Sequence, residues 1–260
     1  MPIPERMNPS FAPVLPATLD TLEQARNRLI VALDVPDLAS ATRLVNCLEG
    51  TCSWFKIGLE LFVAAGPAAL QPLVARGHHV FLDLKFNDIP NTVAAAVRSA
   101  ASLGVRMLTV HATGGPAMLT AAREALEGFT DPPQLLVVTV LTSMDRAQLR
   151  SIGLDRSPAE QVELLARMGL DSGICGFVCS PQEVASLRAL TGSEGILVIP
   201  GIRPSGAAIG DQKRIATPAE ALRQGASYLV VGRPITQATD PAKAAEAILQ
   251  EMAQTFENAS

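Results

Sequence analysis

Short apolar runs rich in β-forming residues recur along this 260-residue chain, and their rhythm constrains the fold more than any other feature. Segments with the composition and period of amphipathic helices, such as PNTVAAAVRSAASL and SPAEQVELLARM, lie between them. The eight runs are LIVALDV (29–35), WFKIGLE (54–60), VFLDLKF (80–86), MLTVHAT (107–113), QLLVVTVLT (134–142), GFVCS (176–180), ILVIPGI (196–202) and YLVVGRPIT (228–236). Strands that alternate with helices in this way predict a parallel sheet made of β-α units.

We predict an α/β fold in which these units close into a single (β/α)8 TIM barrel. Eight strands and a length near that of a typical barrel favour closure, and no GxGxxG motif follows the first strand to suggest an open dinucleotide-binding sheet. A Pro-rich arm at residues 1–19 precedes the barrel domain at residues 20–260. Asp20 and Glu23 have the spacing of a helix N-cap, and TSMDRAQLRSIG after the fifth run predicts a small extra helix.

Composition and charge exclude several classes of protein. The net charge of −4 and the pI near 5.4 argue against a general nucleic-acid binder, which needs a basic face. No apolar run reaches the roughly 18 residues of a spanning helix, and the first residues lack the apolar region of a signal peptide. The four cysteines form no CxxC pair, which favours buried thiols over a metal site. We therefore expect a cytoplasmic protein without a metal, a membrane partner or a nucleic-acid partner.

The segment FLDLKFNDIPNTV places Asp83, Lys85 and Asp88 at the end of an otherwise apolar strand. Because strand side chains alternate between faces, Phe81, Asp83 and Lys85 share the face that points into the barrel. Other polar residues at the C-terminal ends of strands, where barrel enzymes hold their active sites, are Asp34, Lys56, Thr142 and Arg233. An unpaired buried charge is costly, so a cluster of alternating charges predicts a functional site more than a purely structural ion-pair network.

The chemistry open to Lys85 follows from its acidic neighbours. A Schiff-base lysine, as in barrel aldolases, must lose its proton before it attacks a carbonyl group. Carboxylates on both sides of Lys85 favour the ammonium form instead. The pattern therefore predicts a lysine that donates a proton or stabilises negative charge. His111, in the fourth run, is left without a role.

A second group of polar residues follows the seventh and eighth runs, in PGIRPSGAAIGDQKR and VVGRPIT. Glycine-rich loops present backbone N–H groups, and Arg203, Gln212 and Arg233 add side-chain donors. Loops at these two places are the recurrent phosphate site of the barrel architecture. In either loop alone, the glycines could equally serve a turn and the arginine could equally be a surface residue. The two loops together predict a phosphate site.

The D-x-K-x-x-D-I-P-x-T spacing in DLKFNDIPNTV resembles the signature of the orotidine 5′-phosphate decarboxylase family. The segments LIVALDV, FKIGLELF, VTVLTS, PGIRP, GDQKR and VVGRPIT resemble the other blocks of that family in the same order. The resemblance runs from about Leu29 to Ile235, nearly the whole barrel. Asn87 stands where many members have histidine, and the arm before residue 20 lies outside the shared core.

The resemblance implies decarboxylation of orotidine 5′-monophosphate to uridine 5′-monophosphate and CO2, in de novo pyrimidine biosynthesis and without a cofactor. Lys85 is the matched proton donor to C6, and Asp83 is expected near the departing carboxylate. Asp88 and Thr92 are expected to enter the site of a neighbouring subunit, since the family builds each site across a homodimer interface.

The same matching implies the residues that bind the nucleotide. Asp34 and Lys56 are expected to hold the ribose hydroxyls and to complete the charge network. Thr142 is expected to contact the pyrimidine. The residues expected to bind the 5′-phosphate are Arg203, Gln212, Gly232 and Arg233.

Two rival functions stay open at this point. Sugar-phosphate decarboxylases and aldolase-like synthases of the same superfamily share D-x-K-x-x-D, but they use Mg²⁺ held by a glutamate on the second strand, where this chain has Lys56. A phosphate-binding barrel that acts as a sensor or scaffold is the other rival. Such a binder has no need of Lys85 together with its two neighbouring acids.

Overall fold

The computed structural model describes residues 20–204 and 214–258. Eight parallel strands form a closed barrel in chain order, each paired with the next and the eighth with the first. They are β1 (Leu29–Ala32), β2 (Trp54–Ile57), β3 (His79–Phe86), β4 (Met107–His111), β5 (Gln134–Val138), β6 (Gly176–Val178), β7 (Ile196–Ile199) and β8 (Tyr228–Val231). The predicted (β/α)8 barrel is confirmed.

The first helix precedes the first strand, and the other helices follow the strands and pack on the outside of the barrel. They are α1 (Thr21–Arg26), α2 (Leu38–Cys47), α3 (Leu59–Ala65), α4 (Gln71–Ala75), α5 (Pro90–Ala101), α6 (Gly115–Glu124), α7 (Arg146–Ser151), α8 (Pro158–Asp171), α9 (Val184–Thr191), α10 (Pro218–Arg223), α11 (Arg233–Thr236) and α12 (Pro241–Glu257). Short 3-10 turns lie at Gly66–Ala69, Ala112–Gly114 and Pro181–Glu183. None of the helices in the described part of the chain is long and apolar enough to cross a membrane.

Side chains of the chain itself cap several of these helices. Asp20 accepts a hydrogen bond from the Leu22 backbone N–H and begins α1 as predicted. The predicted extra helix is α7, where Asp145 and Gln148 form a reciprocal capping box. These caps satisfy N–H groups that have no partner within a helix, so the helix starts are fixed locally by sequence.

Two apolar regions form the core, one on each side of the strands. Inside the barrel, Ile30, Trp54, Phe81, Met107 and Tyr228 pack with their neighbours on the remaining strands. The outward-facing strand residues pack under the helices in a larger cluster. The period-two assignment of β3 is confirmed, because Val80 and Leu82 belong to the outer cluster and Phe81 belongs to the inner one.

The strands end earlier than the apolar runs predicted. Strand β1 stops at Ala32, and the residues after β2 turn into α3 instead of extending the strand to 60. Strand β5 stops at Val138, so Thr142 lies in the following loop and does not end the strand. Arg233 likewise begins α11 after β8. Polar residues expected at strand ends therefore lie on loops just above them.

The four cysteines are free thiols. The expectation of buried thiols is confirmed for Cys52 and Cys179, and Cys175 is partly buried. It is wrong for Cys47, which is exposed at the end of α2. Burial raises the pKa of the Cys52 thiol to about 12, so this group stays protonated at neutral pH.

Candidate active site

Strand β3 departs from regular geometry just where its charged residues occur. Leu82 pairs with Leu108 on β4, but the next pair is Phe86 with Val110, so four residue steps on β3 face two on β4. Lys85 lies within this bulge and has a φ of 52°, the one positive value among the described residues other than glycine. A left-handed conformation is unfavourable for a residue with a Cβ, and such strain often occurs at functional sites.

Four charged side chains form a continuous network at the C-terminal end of the barrel. Lys56 Nζ lies 2.8 Å from Asp34 Oδ1 and 3.7 Å from Asp83 Oδ2. Lys85 Nζ lies 2.8 Å from Asp83 Oδ1. The Lys56 and Asp83 side chains are only 11% and 14% exposed, so each of these charges depends on its partners. The structure therefore brings together Asp34, Lys56, Asp83 and Lys85.

The sequence analysis missed Thr109, on β4, which joins this network. Its hydroxyl accepts a hydrogen bond from the Lys85 backbone N–H at 2.8 Å and donates one to Asp83 Oδ1 at 3.1 Å. The side chain is fully buried. Threonine is common in strands, so its place in the sequence gives no signal of this contact.

Gly58 is a second residue that the sequence analysis did not single out. A Cβ built on it would lie 2.9 Å from Lys56 Nζ and 3.1 Å from Asp34 Oδ1. A side chain there would press on both members of this ion pair. The glycine therefore leaves room for the pair to form above β2.

The inner face of the network opens into a cavity of about 150 Å³. Lys56, Asp83, Lys85 and Thr142 provide its polar wall. The rest of the lining is mostly apolar and includes Val138, Val140, Leu141, Val178, Pro200 and Val230. A small, largely apolar cavity with a few convergent charges has the character of a ligand site.

Asp88 and Thr92 make no hydrogen bond or ion pair with the four charged side chains of this network. Both are exposed, and Asp88 Oδ1 accepts a hydrogen bond from the Ile89 backbone N–H at 2.6 Å. Asp88 makes no ion pair with any residue in 20–204 or 214–258. Within one chain, therefore, the third charge of the D-x-K-x-x-D motif does not join the first two.

Residues expected to bind phosphate follow β7 and β8. Arg203 is buried, and its Nη1 donates to the Ile202 carbonyl at 2.9 Å. Gly232 lies beside the charge network, since a Cβ built on it would be 4.0 Å from Asp34 Oδ2. Arg233 is exposed at the start of α11. Gln212 lies outside the described residues.

A buried ion pair braces the loop that contains Thr142. Arg214 pairs with Glu183, and both side chains are nearly inaccessible to solvent. Arg214 Nη2 donates to the Leu141 carbonyl at 2.9 Å, and its Nε donates to the Thr142 carbonyl at 3.4 Å. Glu183 also accepts from the Ser180 backbone N–H at 3.0 Å. The sequence analysis did not predict this pair, which ties three loops together at the rim of the cavity.

His111 is near the site but outside the ion-pair network. Its Nδ1 lies 2.8 Å from the Thr113 hydroxyl. Burial and, to a smaller extent, the positive charge of Lys85 lower the pKa of His111. The imidazole is therefore neutral at pH 7, which suits a hydrogen-bonding role.

Comparison with known proteins gives consistent results for most of the chain. A family model described as orotidine 5′-phosphate decarboxylase / HUMPS family matches residues 27–248. An orotidine 5′-phosphate decarboxylase of Moorella thermoacetica is 53% identical over 234 residues, covering 88% of this chain and 93% of the relative. One from Nitrosococcus oceani is 52% identical over 227 residues, covering 87% and 98%.

Solved structures show the same similarity in three dimensions. The crystal structure of orotidine 5′-phosphate decarboxylase from Lactobacillus acidophilus has a TM-score of 0.77 and 40% identity, covering 86% of this chain and 98% of that one. An uncharacterized conserved protein from Geobacillus kaustophilus has a TM-score of 0.76 and 34% identity, covering 86% and 99%.

Proposed function

The chain belongs to the orotidine 5′-phosphate decarboxylase family, and we propose that Lys85 is the proton donor in its reaction. The activity is the conversion of orotidine 5′-monophosphate to uridine 5′-monophosphate and CO2 in pyrimidine biosynthesis. The observation that carries the proposal for Lys85 is its 2.8 Å contact with Asp83 at the polar wall of the cavity. This contact holds an ammonium group where the reacting carbon of a bound pyrimidine is expected.

The chemical step needs a cation because no other group can accept the developing charge. When the C6–carboxylate bond breaks, CO2 departs and the electron pair stays on C6, in the plane of the ring, where the π system cannot readily delocalise it. The Lys85 ammonium group stabilises this pair and then donates its proton to C6. The neutral amine regains a proton from solvent before the next turnover.

The charge balance of the network supports this role. Two ammonium groups, from Lys56 and Lys85, face two carboxylates, from Asp34 and Asp83, so the network is formally neutral. A substrate carboxylate placed beside Asp83 adds a negative charge in a partly buried site, and when CO2 departs as a neutral molecule that charge moves to C6, beside the Lys85 ammonium group. The arrangement therefore favours the state after CO2 loss over the state before it.

We assign the nucleotide contacts by the same matching. Asp34 and Lys56 bind the ribose hydroxyls, and Thr142 binds the pyrimidine from across the cavity. The donors proposed for the 5′-phosphate are Arg203, Gln212, Gly232 and Arg233. Binding energy from this remote phosphate lowers the barrier at C6 if it holds the ring against Lys85.

The residues of this site do not fit a divalent metal, and we propose a reaction without a cofactor. Asp83 lines the cavity, and Lys56 lies within 3.7 Å of both Asp83 and Asp34. An ammonium group between them neutralises the charge that Mg²⁺ needs and would repel the ion. This argues against the Mg²⁺-dependent sugar-phosphate enzymes as an alternative.

We further propose that the chain works as a homodimer in the cytoplasm. Asp88 and Thr92 are exposed beside Ile89, which is 66% exposed. Leu59 and Val63 on α3 are also large apolar residues open to solvent. In the dimer, Asp88 and Thr92 of each subunit enter the site of the other subunit. There Asp88 orients the lysine of that site or the ribose of its bound substrate.

The direct test of the function is the ultraviolet absorbance of orotidine 5′-monophosphate incubated with EDTA-treated protein. We expect complete conversion to uridine 5′-monophosphate at a rate that added Mg²⁺ does not change. Absence of conversion, with turnover of a sugar phosphate once Mg²⁺ is supplied, would place the chain with the metal-dependent enzymes. Binding of the nucleotide without any turnover would support a sensor or scaffold.

A subunit-mixing experiment tests the shared site. Lys85→Ala and Asp88→Ala proteins are each nearly inactive, but a mixed dimer contains one site with both residues intact. Random exchange should restore about a quarter of the wild-type activity, because half of the dimers are mixed and each has one working site. No recovery after exchange has been verified by mass spectrometry would contradict the shared site.

A further inference from the structure

We propose that Thr109 is a positioning residue that sets both the backbone and the counterion of Lys85. The proposal rests on the proposed role of Lys85 as proton donor. Thr109 has no exposed surface, so it cannot touch a nucleotide in the cavity. Any effect on turnover must pass through the two groups to which it is hydrogen-bonded, the Lys85 backbone and the Asp83 carboxylate.

The first contact supports an unusual backbone. The bulge in β3 takes Lys85 out of regular pairing with β4, and its φ of 52° is unfavourable for a side chain with a Cβ. The Lys85 N–H would then lack a partner in a partly buried position, and the Thr109 hydroxyl oxygen accepts it at 2.8 Å. Thr109 therefore replaces the missing strand hydrogen bond and stabilises the conformation that directs Lys85 into the barrel.

The second contact orients the carboxylate. A hydroxyl group has one hydrogen, and because the Thr109 oxygen already accepts from an N–H, that hydrogen is free to point at Asp83 Oδ1, 3.1 Å away. The same Oδ1 accepts from Lys85 Nζ at 2.8 Å. The contacts form a closed ring from the Lys85 N–H through Thr109 and Asp83 back to the Lys85 ammonium group.

This ring predicts a specific kinetic effect. Loss of the hydroxyl leaves the Lys85 N–H unpaired and frees the carboxylate to rotate, so the ammonium group moves relative to C6. A displacement of about 1 Å at a reacting group lowers turnover by about 100-fold. The proposed phosphate and ribose contacts lie on other residues, so the KM should stay within about threefold of wild type.

The test compares three variants with the wild-type enzyme by steady-state kinetics on orotidine 5′-monophosphate. Thr109→Val removes the hydroxyl at nearly constant shape, and Thr109→Ser keeps it. Thr139→Val is the matched control, because Thr139 is also a buried threonine and lies just after β5. Its hydroxyl donates to the Val178 carbonyl at 3.4 Å and not to the charge network. If Thr109→Val does not fold by circular dichroism, Thr109→Cys replaces it, since a thiol is a weak donor and acceptor.

We expect kcat to fall about 100-fold in Thr109→Val, with KM nearly unchanged, and to stay within about threefold of wild type in Thr109→Ser and Thr139→Val. An active wild-type enzyme together with an equally active Thr109→Val variant would overturn this proposal alone. Equal losses in Thr109→Val and Thr139→Val would also overturn it, because they would indicate a general packing effect. An inactive wild-type protein would overturn the proposed function itself, and this proposal with it.

Discussion

The two ends of the barrel interior are built from the same strands but have opposite chemistry. Near the N-terminal end, the Trp54 ring lies 4.7 Å from the His79 ring and 5.3 Å from the Tyr228 ring. Burial there raises the pKa of Tyr228 to about 12. Two residues along β2 from Trp54, the inward-facing side chain is Lys56, which is held between two carboxylates.

The same change occurs on the next two strands. On β3, Phe81 is followed on the inner face by Asp83, and on β4, Met107 is followed by Thr109. A step of two residues along each of these three strands thus leads from an apolar layer to the layer of the charge network. The apolar end stabilises the barrel by burial, whereas the charged end is stable only while each charge keeps its partner. Stability and turnover should therefore respond to mutations at different ends.

The largest expected effect on stability comes from the charged end and is therefore an exception to this division. It tests whether a buried ion pair there contributes to stability as the apolar layer does. Glu183→Gln leaves the Arg214 guanidinium buried without its counterion. We expect a loss of about 3 kcal/mol or more in the free energy of unfolding, measured by chemical denaturation. The control is Glu127→Gln, an exposed partner of Arg123 at 3.0 Å, which should change stability by less than about 1 kcal/mol. A loss in Glu183→Gln no larger than that in Glu127→Gln would contradict the claim that buried Arg214 depends on its counterion.

A substitution in the apolar layer should have the next largest effect. Trp54→Leu removes ring contacts with His79 and Tyr228 and leaves a cavity between them. We expect a loss of about 2–3 kcal/mol in the free energy of unfolding, with kcat unchanged for the folded fraction. Trp54→Phe should lose less. A large fall in kcat at temperatures where Trp54→Leu is fully folded would break the division between the two ends.

Substrate capture at the charged end should be affected more moderately. Arg233→Ala removes a proposed phosphate donor, so we expect KM to rise about 10- to 100-fold with little change in stability. Arg150→Ala is the control, because Arg150 is an exposed arginine on α7 that is bound to Asp155 at 2.8 Å. An unchanged KM in Arg233→Ala would remove Arg233 from the phosphate site.

The smallest effect concerns pH at the apolar end. Burial, followed by the charges of Arg106 and His78, lowers the pKa of His79. The unfolded chain takes up a proton near pH 6.5, whereas the folded imidazole stays neutral to lower pH, so stability falls as the pH drops through this window. His79→Phe should therefore lose less thermal stability between pH 7.5 and 5.5 than the wild type. An equal loss of thermal stability in the variant and the wild type would contradict the lowered pKa of His79. The pKa values of His78 and His111 are also lowered, so the stability of the variant still depends on pH to some extent.

The alternation of side chains along the strands made the fold and part of the site predictable. It placed Phe81 and Asp83 on one face of β3, and the spacing of the eight runs predicted the closed barrel. Strand ends were less predictable, since apolar residues continue past the last ladder hydrogen bond, as in ILVIPGI, where β7 ends at Ile199.

Contacts that depend on distant segments could not be predicted. Thr109 meets Asp83 across 26 positions of sequence, and Arg214 meets Glu183 across 31. The conformation of Lys85 has no sequence signal either, because positive φ is expected of glycine and not of lysine. These features arise from the bulge and the loops, which the barrel pattern does not specify.

The measurement that tests the central claim most directly is the turnover of Lys85→Ala, compared with its binding of uridine 5′-monophosphate and its free energy of unfolding. Loss of both the proposed proton donor and its charge should lower kcat by at least about 10⁴-fold, while nucleotide binding stays within about tenfold of wild type. Stability should fall less than in Trp54→Leu, since the Lys85 side chain is partly exposed and Asp83 keeps Lys56 and the Thr109 hydroxyl as partners. Turnover within about tenfold of wild type would contradict the claim that the charged end of β3 performs the chemistry.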